Sequence, residues 1–193
     1  MAGRLASVET RNISNGDMRA TGVLLDATLG AGFWVLDPGS LGSHRVAVLD
    51  GRIVGAVSAC IGAAAPDDLG LDPPVCVIRA VAVDPLVRGR GLATRLVSEA
   101  CVECDRLGAM SFVAFCWVHG SDGDAPLAGP LERLGFIRGR RIEGFYSGAG
   151  LATCPHCDRT PCACPADVYW RKAGSARSWW VGQAHPDRRG AQR

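Results

Sequence analysis

The sequence predicts a mixed α/β (α+β) domain built on a single sheet, and three observations carry that expectation. The run VCVIRAVAV, Val75 to Val83, is short, apolar and β-branched, is closed by Asp84-Pro85, and is followed by an amphipathic helical pattern. Two further runs flank Asp50-Gly51, the strongest two-residue hairpin signal in the chain. Two more β-rich segments, Met110 to Val118 and Ala166 to Lys172, are separated by a short helical pattern.

In chain order, Leu5 to Ile13 alternates loosely and is read as a first strand, and Ser14 to Asp17 supplies turn and capping residues. Met18 to Leu29 places Val23, Leu24, Leu25 and Leu29 at helical spacing and ends at Gly30. Asp37-Pro38-Gly39-Ser40 is a turn, and His44 to Leu49 and Arg52 to Ile61 form the hairpin. Gly62 to Pro74 is a loop, and Val75 to Val83 is a buried strand. The next helix carries Leu92, Leu96, Val97, Ala100, Cys104 and Leu107 on one face and is capped by Gly108. Met110 to Val118 is a strand, His119 to Asp124 a polar loop, and Ala125 to Leu134 a short helix before Gly135-Phe136. Ile137 to Tyr146 and Ala166 to Lys172 read as the last strands.

The 193 residues suit one domain with a sizeable core. A net charge of +2 gives no electrostatic case for nucleic acid or a membrane surface. No apolar h-region follows Met1, and Val23 to Leu36 is too short and too interrupted to span a bilayer, so a soluble, cytoplasmic protein is expected. Of the nine cysteines, Cys60, Cys76, Cys101, Cys104 and Cys116 fall in apolar segments and behave as small hydrophobes. The other four crowd between Cys154 and Cys164.

Between strand and helix lies Arg88-Gly89-Arg90-Gly91-Leu92-Ala93. Glycines allow a tight turn and close approach to a ligand, while the first amides of a helix point outward without partners. With two arginines beside it, such a helix start suits a phosphate or pyrophosphate. No Gly-Lys-Ser/Thr follows, and three spaced glycines are lacking, so neither a Walker loop nor a dinucleotide fingerprint fits.

This stretch resembles the acetyl-CoA-binding segment of the GNAT superfamily of N-acetyltransferases. The family's Arg/Gln-x-x-Gly-x-Gly/Ala pattern is met by Arg88, Gly91 and Ala93, and the order of elements from about residue 5 to 172 is that of the GNAT fold. The resemblance implies a mostly antiparallel central sheet flanked by helices, with acetyl-CoA as co-substrate. Its pyrophosphate would rest on Arg88, Gly89, Arg90, Gly91, Leu92, Ala93 and Thr94. Its pantetheine arm would lie along the backbone of Val81, Ala82 and Val83, with the next strand splaying away and the amine arriving near Trp117 and His119.

Acetyl transfer to an amine needs an uncharged nucleophile, an oxyanion partner and a proton for the leaving thiolate. The family's usual acids and bases are missing in register: Leu131 stands where a Tyr is common, Asp124 where an Asn is, and Arg79 or Ala80 where a Glu is. His119 remains, titrating near neutrality, with Asp124 beside it and Tyr146 as a replacement acid.

Cys154, Cys157, Cys162 and Cys164 can close a tetrahedron about one structural Zn²⁺. A thiol–disulfide motif would need a helix beginning at Cys154, which Pro161 and its turn deny. His156 lies between the ligands and points outward in this reading.

The expected organisation is an N-acetyltransferase domain over residues 1–173, a zinc loop at about 147–165, and a flexible basic tail over 174–193. The acceptor is a small-molecule or peptide amine. No nucleic-acid or membrane partner is expected, and a homodimer is left open. The alternative is a non-catalytic acyl-CoA-binding module that uses the zinc loop as a partner surface; retained turnover separates the two.

Overall fold

Asp50 and Gly51 both take positive φ, 49° and 76°, so the turn they make has the twist that two antiparallel strands require. It joins β2 (Gly42–Leu49) to β3 (Arg52–Ile61), the hairpin that anchors one side of the sheet. In the computed structural model the described residues are 8–31, 39–62, 69–118, 123, 125–148, 154, 157, 159 and 161–174. The remaining elements are β1 (Glu9–Asn12), α1 (Met18–Leu29), β4 (Val75–Val83), α2 (Leu92–Arg106), β5 (Ser111–Trp117), α3 (Ala128–Arg133), β6 (Ile137–Ile142) and β7 (Ala166–Lys172). Their sheet order is β1-β2-β3-β4-β5-β7-β6, antiparallel throughout except for the parallel β4–β5 pair.

The two faces are covered by different helices. Leu96, Val97, Ala100, Cys101 and Cys104 of α2 pack on Cys76, Ile78, Phe112 and Ala114, and each is almost wholly buried. Full burial of a Leu or Val is worth about 1.5–3 kcal/mol, so this stripe alone seats α2 firmly. On the opposite face Leu25 of α1 packs on Ala80 and Ala82. The five cysteines of the apolar segments are buried here without disulfides, as expected. Burial pushes Cys101 up to about 11 and Cys116 up to about 12.

One extra residue in β4 changes which side chains face which helix. Opposite Ser58 and Ala59 of β3 stand Ala80 and Ile78, so Arg79 is a bulge. Before it, Cys76 and Ile78 face α2; beyond it, Val81 and Val83 pack toward α2 while Ala80 and Ala82 turn to α1.

Three sequence readings are corrected. The strand expected to run to Tyr146 ends at Ile142, because Gly144 takes φ 58° and turns the chain into a 3₁₀ segment, Phe145–Gly148. The helix before Gly135 begins at Ala128 rather than Ala125, with Pro130 in its first turn, where the missing N–H costs nothing. The first strand is the short Glu9–Asn12; residues 1–7 and 175–193, and with them most of the expected tail, lie outside the described residues.

Candidate functional site

The parallel ladder between β4 and β5 pairs Val75 to Ile78 with Ser111 to Ala114 and then stops. On its other side β4 stays paired with β3 as far as Val83. From Arg79 to Val83 the backbone edge facing β5 therefore has no strand against it, and β5 diverges. The gap is a cleft of about 480 Å³ that passes through the sheet, a size suited to a ligand.

One mouth opens on the α2 side and is made largely of backbone. Asp84 accepts from the Leu86 N–H at 2.9 Å and sets the turn that leads into the loop. Arg88 donates from Nε to the Val83 carbonyl at 3.0 Å, bending its side chain back along the strand end. Gly89 and Gly91 take φ 76° and 75°, a left-handed conformation that favours glycine. The first helical bond of α2 is Arg95 N–H to the Gly91 carbonyl, so the amides of Leu92, Ala93 and Thr94 precede the ladder and have no intrahelical acceptor. Arg133 of α3 closes this mouth, its Nη2 lying 3.4 Å from Thr94 Oγ1.

The other mouth, on the α1 side, is made of side chains from distant segments: Thr28 and Leu29 of α1, Arg79 of the bulge, Phe115 and Trp117 of β5, and Tyr146. Phe145 stacks on Phe115 with centroids 4.7 Å apart, and Tyr146 packs on Trp117 at 4.9 Å. The Tyr146 hydroxyl donates to the Phe115 carbonyl at 3.1 Å. Burial first, then the cysteines behind it, holds its phenol above the usual range and so protonated.

Behind Trp117 and Tyr146 sit the four clustered cysteines, in contact with both rings. Their sulfurs all lie within 4.8 Å of one another, with Cys154 to Cys164 at 3.9 Å and Cys157 to Cys162 at 4.0 Å. A tetrahedral zinc with Zn–S bonds of about 2.3 Å sets its ligand sulfurs about 3.8 Å apart, so the donor set fits that ion. Backbone N–H groups of Ala163 and Arg159 bring the Cys157 thiol down to about 6 against the effect of burial. Burial pushes Cys162 up to about 12 and Cys164 also upward. Were all four ionised at this spacing, their mutual repulsion would call for a cation among them.

Of the residues expected to meet the co-substrate, Val81, Ala82, Val83, Arg88, Gly89, Gly91, Leu92, Ala93 and Thr94 all line the cleft. Arg90 does not; it faces a separate depression of about 120 Å³ beside Val8 and Arg95. Tyr146 lines the cleft from the 3₁₀ turn. His119 and Asp124 lie outside the described residues, as does His156. Sequence reasoning missed Thr28, Leu29, Phe115 and Arg133 as lining residues, since none belongs to a local motif.

The Acetyltransferase (GNAT) family profile matches residues 18–136. The chain belongs to this family, and its class of reaction is acyl transfer. The match ends before β6, so the cysteine cluster lies outside it. No curated protein matches at a significant level. Among solved structures the chain is similar to Arabidopsis thaliana NAA60 in complex with acetyl-CoA (TM-score 0.64, 18% identity, 86% of this chain and 99% of that chain). It is also similar to yncA, described as a putative acetyltransferase, from Salmonella typhimurium with acetyl-CoA (TM-score 0.61, 16% identity, 93% and 98%). A third is the Drosophila melanogaster polyamine N-acetyltransferase (TM-score 0.59, 16% identity, 86% and 100%). At these identities the likeness is one of fold. No helix among the described residues is long and apolar enough to cross a membrane.

Proposed function

We propose that this protein transfers an acetyl group from acetyl-CoA to an amine, through a cleft that crosses its sheet. The observation that supports this most directly is the unpaired β4 edge leading straight to unpaired α2 amides. An amide-bearing pantetheine arm suits the first, a pyrophosphate the second. In this reading Arg88 and the backbone from Gly89 to Thr94 hold the pyrophosphate, with Arg90 at the periphery, and Val81 to Val83 align the arm. The thioester then sits where β4 and β5 part.

The amine nitrogen attacks the thioester carbonyl carbon; the C–N bond forms as the C–S bond breaks, and CoA leaves as a thiolate that takes up a proton. The proton lost by the amine passes to His119, assisted by Asp124, while Tyr146 serves as the acid that returns a proton to the thiolate. Structural zinc on Cys154, Cys157, Cys162 and Cys164 would supply no step; it would fix the segment behind Trp117 and Tyr146. Residues up to about 173 form one catalytic unit in this proposal, with the cysteine loop as its wall.

The test is CoA release from acetyl-CoA with a panel of amines, together with calorimetric binding of CoA. Amine-dependent release supports transfer. Binding without release for any amine would leave an acyl-CoA-binding module, and no CoA binding would remove the reading altogether.

A further inference from the structure

Resting on that reading, we infer that the acceptor is an amine that also carries a carboxylate, and that Arg79 recognises the carboxylate. Among the described residues the charge lining the cleft is all positive. The charged residues lining it among the described residues are Arg79, Arg88 and Arg133, with no aspartate or glutamate. Beside these arginines a polyamine or a lysine side chain would bring its second cation against like charge.

The three arginines stand at different places. Arg88 and Arg133 flank the loop and the start of α2, where phosphate belongs. Arg79 is four residues before Val83, roughly 13 Å back along the strand at the usual rise per residue. It is beyond the reach of the pyrophosphate end and beside the point where β4 and β5 part.

Register explains why it is there. Arg79 is the residue that the β4 bulge leaves without a partner in β3, and bulges re-aim side chains. It lies at the α1-side mouth, next to Ala80, which packs on α1. Its guanidinium is exposed and makes no hydrogen bond or ion pair with another described residue, whereas Arg11, Arg45, Arg95, Arg138 and Arg141 all hold carboxylates within the fold. A guanidinium fork matches a carboxylate through two parallel hydrogen bonds. Apart from Thr28, the rest of this mouth, Leu29, Phe115, Trp117 and Tyr146, is apolar or aromatic and would cover the remainder of a small amino acid. The Arg79 charge also favours the neutral form of a neighbouring amine, the form that attacks.

The experiment compares matched acceptors on the full chain, wild type and Arg79→Gln, with CoA binding measured alongside. The pairs are methionine against methioninamide and phenylalanine against phenethylamine, with spermidine as a cationic control. The carboxylate-bearing member should be preferred in kcat/KM by about tenfold to a hundredfold, the usual worth of a charge-assisted pair. Arg79→Gln should erase the preference, Arg79→Lys should keep part of it, and CoA affinity should not change. Equal use of acid and amide by wild type overturns the inference, as does a preference that survives Arg79→Gln. Turnover of spermidine but not of the amino acids also overturns it, and so does a protein that binds CoA yet neither binds nor acetylates any amino acid. If CoA itself fails to bind, the acetyl-transfer reading fails first and the inference falls with it.

Discussion

The two mouths of the cleft are built from different materials. The α2-side mouth is one continuous segment, β4, a two-glycine loop and a helix start, and its ligating groups are mainly peptide N–H and C=O. The α1-side mouth is assembled from α1, the β4 bulge, β5 and the turn after β6, and it works through side chains. A backbone site constrains sequence only where the backbone is unusual, at Gly89 and Gly91. A side-chain site can be rebuilt residue by residue without disturbing the fold. In the proposed reading the first mouth therefore holds what every acyl transfer of this kind needs, and the second what is particular to this chain.

The largest effect expected is at the backbone mouth. Gly91→Val should abolish CoA binding in a protein that still folds. A Cβ at Gly91 would meet nothing within 4 Å, so the substitution brings no clash with the folded chain. It brings a β-branched residue into a left-handed conformation, a strain of roughly 1–2 kcal/mol, and bulk where a phosphate must approach. Unchanged CoA affinity in a folded variant would remove the assignment of the loop.

His119→Ala comes next and, in the proposed mechanism, removes the group that takes the amine's proton. It should lower kcat by about a hundredfold and flatten the acidic limb of the pH–rate profile, with CoA affinity preserved. A limb that persists would show that the acceptor amine or a water is titrating instead.

The cysteine cluster should affect the side-chain mouth alone. Protein purified without chelator should contain one zinc per chain, and the Cys162→Ser/Cys164→Ser double variant should contain none. Losing the ion releases the segment against which Trp117 and Tyr146 pack, so the acceptor KM should rise about tenfold while CoA affinity holds. Zinc-free wild type would refute the metal, and an unaltered acceptor KM in the variant would refute its role as a wall.

The same contrast decides what could be read from sequence. The hairpin, β4, the glycine loop and α2 were legible because turn chemistry and apolar period act over neighbouring residues. The four cysteines were legible as a set because their spacing is local, and the structure gathers their sulfurs. Arg79 was read only as the place where a base is missing. Its position as the bulge depends on the register between β3 and β4, which no window of sequence contains. Tyr146 was assigned to a strand because Ile137 to Tyr146 has the composition of one, until Gly144 turns the chain. Thr28 and Leu29 reach the cleft only because Leu25 seats α1 on Ala80 and Ala82.

The smallest effect concerns how β6 and β7 are held together. Asp167 of β7 is 2% exposed and accepts from Arg138 Nη2 at 2.7 Å and from Arg141 Nε and Nη2 at 2.7 and 3.0 Å. Arg141 also donates to the Gly123 carbonyl at 3.2 Å, tying β6 and β7 to the connection between β5 and α3. The hydrogen bond from Arg141 holds the Asp167 carboxyl below its ordinary range. Both arginine side chains are partly exposed, 53% and 35%, so solvent weakens the pairs. Asp167→Asn should therefore cost only about 1–2 kcal/mol in urea unfolding at pH 7. The folded pKa is depressed, so the contribution is complete above the unfolded carboxylate pKa of about 4 and disappears as pH falls through the folded value. The difference between wild type and Asp167→Asn should then shrink when the titration is repeated near pH 3. Asp17 and Glu99, which are also depressed, titrate alike in both proteins and cancel. A difference that is the same at both pH values would mean that Asp167 acts through packing rather than charge, and the β6–β7 bracing would not be electrostatic.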